Sequence, residues 1–153
     1  MISIGLGVDH VIVVSLYNNI FTLISHNEKI LYYLGMGSNA TDLEKADKIQ
    51  KRAKPQNLID KVPLITFYTP EGGMDKSNDN VYVAPFVFDI YTNDDVNTAH
   101  LIADELTIMF NKQLLPFYGV DSFESVFVTA HESSVDIDNV YCFTTVFEFS
   151  VLL

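Results

Sequence analysis

The stretch from Val81 to Asp95, VYVAPFVFDIYTNDD, does more than any other segment to set the fold of this chain. Every second residue is apolar, and this period of two is typical of a β-strand with one face on a core (Tyr82, Ala84, Phe86, Phe88, Ile90). Asp89 lies on the other face, which we therefore expect to be partly wet. Pro85 lacks an N–H group, so the strand is predicted to lie at a sheet edge or to be bulged there.

The elements on either side follow from hydrophobic periods and capping residues. Thr92 to Asp95 has capping-box spacing, and the helix after it carries a core-facing stripe at helical spacing (Val96, Ala99, Ala103, Leu106, Phe110). Thr41 to Glu44 repeats the capping-box spacing, and Asp9 is expected to cap the first helix. Helices are predicted at residues 9–25, 27–34, 41–54 and 94–114, and strands at 64–69, 81–91, 125–131 and 140–151.

This order predicts an α+β fold. Two hairpins separated by a helix give a four-stranded antiparallel sheet with helices packed on one face, in the order α-α-β-β-α-β-β. The chain has 153 residues, the commonest domain size, and no repeat or linker marks a boundary. We therefore predict a single domain over residues 1–153.

Charge and composition restrict the classes of partner. The net charge is −11, and from Val62 onward there are fourteen acidic residues against Lys76 and Lys112. A protein that binds nucleic acid needs cationic side chains next to the phosphates, so the part of the chain from Val62 onward should repel DNA and RNA. The acidity fits either a solvated surface or a surface that DNA passes without sticking. The single cysteine excludes an internal disulfide, and the apolar run 11–24 is too short to span a bilayer, so we expect no membrane partner.

No pattern of catalytic or metal-binding residues stands out. The four histidines are scattered (His10, His26, His100, His131), with no HExxH motif and no cysteine pair. Cys142 lies in an alternating strand and is interpreted as a small core or interface residue. Gly5-Leu6-Gly7 has no third glycine, and we expect it to form a turn. The chain is therefore predicted to be no enzyme and to hold no metal or cofactor.

Three strings resemble the tail-completion, or tail-terminator, proteins of long-tailed bacteriophages. They are the Pro-led strand VPLITFY at 62–68, the strand YVAPFVFDIYT at 82–92 that runs directly into a helix, and the alternating aromatic hairpin at 141–149. The similarity covers residues 62–153 and the N-terminal helix. Residues 35–61 correspond to nothing in the family pattern, so the resemblance implies that they are a helical insertion.

The resemblance implies a structural protein of the virion tail or neck that assembles in the host cytoplasm. A homo-hexameric ring would cap the finished tail tube, stop its growth and dock onto the head connector or stopper protein. DNA would pass through the ring without specific binding. Within such a ring, the wide apolar arc of the 94–114 helix would form the oligomer interface (Leu101, Ile102, Ile108, Met109). The polar 70–80 loop would contact the tube or connector (Glu71, Gly72, Gly73, Met74, Asp75, Lys76), although an ordinary long hairpin loop explains it equally well.

Two alternatives stay open at this stage. The same ferredoxin-like architecture also serves as a small-ligand-binding regulatory domain, which would require a pocket with convergent polar groups. Another neck protein of the head–tail interface, such as a stopper, would have the same general character as a terminator.

Overall fold

A computed structural model describes the backbone of residues 4–153 and the side chains of residues 12–153. The helices are α1 (Ile4–Ser25), α2 (Glu28–Tyr33), α3 (Asp42–Lys48), α4 (Leu58–Lys61) and α5 (Val96–Phe110). The strands are β1 (Ile49–Gln50), β2 (Leu64–Tyr68), β3 (Gly73–Met74), β4 (Val81–Thr92), β5 (Val126–Ser133) and β6 (Tyr141–Leu152). The fold is mixed α+β, as predicted.

The sheet is larger than the predicted one. Its order is β1-β2-β4-β6-β5, with β3 paired beside β4, so the described residues form six strands and not four. The four expected strands are present at nearly the expected bounds and pair antiparallel. The addition of β1 makes the sheet mixed, because Ile49 pairs parallel with Ile65 on β2. The prediction of a purely antiparallel four-stranded sheet was therefore wrong in strand number and direction.

The basic helix predicted over 41–54 is half as long as expected. Its start is confirmed as a capping box, in which Glu44 N donates to Thr41 Oγ1 and Thr41 N donates to Glu44 Oε1, both at 3.2 Å. The helix ends at Lys48 because Ile49 and Gln50 turn into the sheet, where both are buried. Pairing with β2 therefore overrides the helix propensity of the segment.

At the N-terminus, α1 begins earlier than predicted, at Ile4. Gly5-Leu6-Gly7 therefore lies within a helix and not in a turn, and Asp9 is inside the helix and not at its cap. The side chains of Asp9 and His10 lie outside the described residues. The cap of α5 is also shifted, because Thr98 N donates to Asp95 Oδ1 at 2.9 Å, while Thr92 Oγ1 accepts from Asp95 N.

One face of the sheet is an aromatic core. Phe88 packs at ring-centroid distances of 5.6 Å from Phe67, 5.8 Å from Phe110 and 5.7 Å from Phe147. Each of these rings is fully buried, and burying such a side chain contributes roughly 1.5–3 kcal/mol. The even positions of β4 thus face the core, as their alternation predicts.

Two helices cover this face. On α1, the Tyr17 ring lies 5.1 Å from that of Phe86, and its hydroxyl accepts a 3.0 Å hydrogen bond from Thr69 N. On α5, Phe110 packs edge-on against Phe149 at 5.3 Å. Among the residues that the structure describes, the opposite face has no such layer, and α4 is the one helix that packs on it, through Leu58. The prediction of helices on one face therefore holds for the main helix layer.

Pro85 does not lie on an edge strand, since β4 is central between β2 and β6. The pairing of β4 with β2 ends at Val87, and its pairing with β3 begins at Val83. Pro85 lies in the gap between them, where β4 has a strand neighbour on the β6 side alone. The edge character inferred from the proline is therefore local to the three residues 84–86.

Candidate assembly surfaces

The uncovered sheet face carries a row of polar side chains across four strands. Thr66 pairs with Asp89, Asp89 with Thr144, and Thr144 with His131, so the four residues lie in register on neighbouring strands. Thr144 Oγ1 donates to Asp89 Oδ1 at 2.6 Å and also contacts the hydroxyl of Ser133. We call this set, with Ser133, the polar row.

Asp89 is half-buried at the centre of the polar row. Burial, the largest effect, raises the pKa of its carboxyl above the usual value, although the hydrogen bond from Thr144 and the nearby His131 act in the opposite direction. Around it lies a shallow depression of about 370 Å³, also bordered by Tyr68 and Tyr91. A carboxylate beside two aromatic rings suits a small cation or a basic side chain.

One end of this face is closed and not wet. Leu64, Tyr91 and Cys142 form a second buried cluster, covered by residues of α4 and of the β5–β6 turn (Leu58, Val62, Val135, Val140). Burial, and secondly the nearby Asp89, raise the pKa of the Cys142 thiol to about 12. Because the thiolate is the nucleophile, this cysteine is poorly reactive near neutral pH.

The outer surface of α5 carries part of the predicted oligomer interface. Leu101 and Ile108 lie seven residues apart on one outward ridge and are 38% and 66% exposed. Met109 is partly buried against the core. Ile102 is fully buried, so its prediction as an interface residue was wrong. It lies four residues before Leu106, on the side of the helix that faces the core. An interface at Leu101 and Ile108 stays a prediction.

The 70–80 loop is partly structured against β4. Gly73 and Met74 form β3 and pair with Val83 and Tyr82. A Cβ atom at Gly72 would overlap the Tyr82 hydroxyl, so glycine lets the loop pass this close to the strand. The other residues predicted to contact a partner are largely exposed (Glu71, Met74, Lys76), and Asp75 borders a depression next to Glu148. Their partner role stays a prediction.

The two edges of the sheet differ in charge. Beyond β1, the bend 51–54 exposes Lys51, Arg52 and Lys54. Lys51 donates to Asn18 Oδ1 at 2.6 Å and lies 5.1 Å from the Phe21 ring centroid. On the far edge, β5 is exposed over most of its length and carries Glu132. Sequence patterns missed this contrast because strand order was unknown.

The histidines with described side chains have ordinary partners. His100 Nε2 lies 3.1 Å from the Tyr141 hydroxyl, and its ring packs 4.4 Å from that of Phe143. His26 Nδ1 lies 2.7 Å from Thr22 O. Among residues 12–153, no group of three His, Cys, Asp or Glu side chains is arranged to hold a metal ion. In the described part of the chain, no helix has the length and apolarity to cross a membrane.

Comparison with known proteins gives a fold and no family. No protein-family model and no curated protein matches the chain. A solved chain from the virion of a native gene transfer agent (GTA) particle is similar in structure, with a TM-score of 0.67 and 15% identity, over 90% of this chain and 95% of that chain. A second solved chain has a TM-score of 0.48 and 14% identity, over 84% of this chain and 97% of that chain, too low to establish a shared fold. The chain therefore shares its fold with a component of a gene transfer agent virion.

Proposed function

We propose that this protein is a structural component of a virus-like particle that forms a ring at the end of a tail tube. The observation that carries the proposal is the shared fold with a gene transfer agent virion chain over 90% of this one. The ring would end tail growth and join the tail to the head connector. Its role would be assembly and not catalysis.

Two features of the surface support an assembly role. Large apolar side chains are exposed on several elements, including Ile108 on α5 and Leu43 on α3. The acidic surface from Val62 onward would let DNA pass a ring lumen without adhering.

The proposal is tested first by mass in solution and then by activity on tail tubes. Light scattering across a concentration series should give a species near six times 17.2 kDa. Tail-tube protein of the same particle, polymerised alone, should form tubes without a fixed length. When the protein is added, the tubes should be short and capped. Electron microscopy measures the tube lengths in both cases. Tubes of unchanged length would contradict the terminator role. Binding to the connector without effect on tube length would favour the stopper role.

The predicted interface on α5 allows a sharper form of this test. Ile108→Asp places a charge on the outward ridge, and assembly should weaken at least tenfold while the fold is kept. Tyr118→Asp is the matched control, because Tyr118 is 88% exposed and lies in the loop after α5. If both variants assemble equally well, the ridge of Leu101 and Ile108 is not part of the interface.

The depression around Asp89 favours a second candidate, a domain that binds a small cation. Its convergent polar groups are what a regulatory ligand site requires. Arginine, lysine and spermidine are suitable probes, measured by calorimetry against wild type and Asp89→Asn. Saturable binding that Asp89→Asn abolishes would support this candidate, and no heat of binding would remove it.

A further inference from the structure

The two edges of the sheet differ in charge: exposed cations are concentrated in the bend after β1, carboxylates lie on or beside β5, and both edges expose apolar side chains. We call the first the basic edge, which consists of Arg52 and Lys54 in the bend after β1, with Leu43 on α3 and Ile59 on α4. We call the second the acidic edge, which consists of Glu124, Phe127, Val128 and Glu132 on or beside β5. We propose that the basic edge of one copy binds the acidic edge of a second copy, head to tail.

The basic edge is a rigid unit and not a loose tail. Gln50 Nε2 donates to Asp47 O and Gln56 O at 2.7 and 3.0 Å, and its Oε1 accepts from Gln56 N at 2.7 Å. Lys48 Nζ donates to Lys61 O at 2.9 Å, which ties α3 to α4. The bend 51–54 is thus held at both ends, so little backbone conformational freedom would be lost on binding.

The exposed groups on this edge have no internal role in the described structure. Leu43 and Ile59 are 74% and 71% exposed. Neither the Arg52 guanidinium nor the Lys54 ammonium forms an ion pair or hydrogen bond with any residue from 12 to 153, whereas the Arg52 backbone N–H donates to Gln50 O at 3.0 Å. Isolated exposed apolar residues are common, but two on the helices directly before and after a bend with two unpaired cations fit a contact surface.

The acidic edge has the complementary composition. Phe127 and Val128 are 41% and 51% exposed at a bulge, where the β5–β6 register shifts between Phe127 and Thr129. Glu124 and Glu132 flank them and have no cationic partner among the described residues. Among the described residues no strand pairs with the outer side of β5, although its start is contacted by residues 111–113: Gln113 bridges Ser125, and Phe127 N donates to Asn111 Oδ1 at 3.0 Å. The rest of this edge is open, and such an edge is usually covered or blunted.

The geometry excludes contact between the two edges within one copy. They are separated by the width of the sheet, four strand spacings in the order β1-β2-β4-β6-β5, or about 19 Å. A contact between different patches on two copies is heterologous, and it leads to a ring when the rotation closes. The inference therefore rests on the proposed ring and names the surfaces that would build it.

The test uses two charge-reversal variants of the full chain. Arg52→Glu/Lys54→Glu makes both edges acidic, and Glu124→Lys/Glu132→Lys makes both edges basic. Each variant alone should repel itself and associate at least tenfold more weakly than wild type in low salt. An equimolar mixture should restore assembly with alternating subunits, because every contact then joins opposite charges. Light scattering and native mass spectrometry measure both results.

Two controls keep the result interpretable. Circular dichroism and thermal unfolding should show both variants folded as wild type, since all four side chains are exposed. A variant that fails this check is replaced by the single reversal Lys54→Glu or Glu124→Lys. Raising the salt concentration from 0.1 to 1 M shortens the Debye length from about 10 to 3 Å and should weaken wild-type assembly.

The outcomes separate this contact from the proposed function. If both charge-reversal variants assemble as well as wild type, the proposed contact is overturned. The result of the tube-capping experiment, and with it the proposed function, is unaffected. Failure of the mixture to restore assembly would overturn the contact as well, as would a wild-type protein that is monomeric at every concentration in low salt. If the wild-type protein does not cap tail tubes, the proposed function is overturned, while the result of mixing the two variants still tests the contact.

Discussion

The two faces of the sheet are built by different rules from the same strands. The helix-covered face is a packed set of phenylalanine rings centred on Phe88. The open face has the polar row across its middle and a small apolar cluster at one end. Adjacent residues of β4, such as Phe88 and Asp89, thus belong to environments of opposite character. The packed rings of the helix-covered face contribute most of the stability, whereas the open face carries ionisable groups that can respond to pH or to a ligand.

The largest effect should come from the covered face. Phe88→Ala is expected to lower the free energy of unfolding by about 3–5 kcal/mol, since it leaves a cavity among three other rings. Val87→Ala is the matched control one residue away on the open face, with an expected loss of about 1 kcal/mol. Urea unfolding followed by circular dichroism measures both. Equal losses would show that the faces do not differ as described.

A pair of neighbouring threonines sharpens the comparison. Thr144→Val removes the donor to Asp89 and should cost about 1–3 kcal/mol, because a half-buried carboxylate loses its hydrogen bond. Thr145→Val on the covered face removes only a 3.5 Å bond to Thr129 O, so the change should stay within about 1 kcal/mol. The same urea titration applies. A larger loss at Thr145 would contradict the assignment.

The ionisation of Asp89 gives a test by pH. Its pKa is raised in the folded state, so between the ordinary value of 3.8 and the raised value the folded chain binds more protons than the unfolded one. The free energy of unfolding of wild type should therefore fall as the pH rises through this window. Asp89→Asn should lose this dependence. Urea midpoints from pH 3.5 to 7, repeated with His131→Gln to remove the facing histidine, measure the difference.

The smallest effect concerns the covered end of the open face. Cys142 is buried under α4 and the β5–β6 turn, and its pKa is raised to about 12. We expect iodoacetamide to leave it unmodified near neutral pH and to alkylate it fully in concentrated guanidinium chloride. Mass spectrometry distinguishes the two states. Rapid modification of the native protein would mean that this end of the face opens.

Local patterns predicted most of the fold. The alternation in 81–91 and 140–151 predicted β4 and β6 within about one residue at each end, because a half-buried strand repeats every second residue. Helix α5 was placed by its stripe of apolar residues, although Val96 at the start of the stripe is 42% exposed and does not face the core. Its cap moved from Thr92 to Asp95, since either residue can accept from a backbone N–H. Strand β1 was missed because it has two residues, which are too few to show the alternation of apolar and polar residues that marks a strand.

The surfaces were harder to predict than the core. Ile102 was placed on an interface because a helical stripe and its flanks overlap in sequence, and only packing separates Ile102 from Leu101. The contact between Asp89 and Thr144 spans 55 positions and depends on strand register, which a single sequence does not reveal. The charge contrast between the edges likewise required the strand order.

The sequence by itself determined the α+β class, the main helices and strands, the core face of β4 and the acidic character of the chain. Those properties depend on neighbours within a few positions, where period and capping chemistry operate. The tertiary structure alone decided the six-stranded order, the polar row at Asp89 and the separation of basic and acidic edges. These depend on which distant strands pair, and that choice is made by the packing of the whole core.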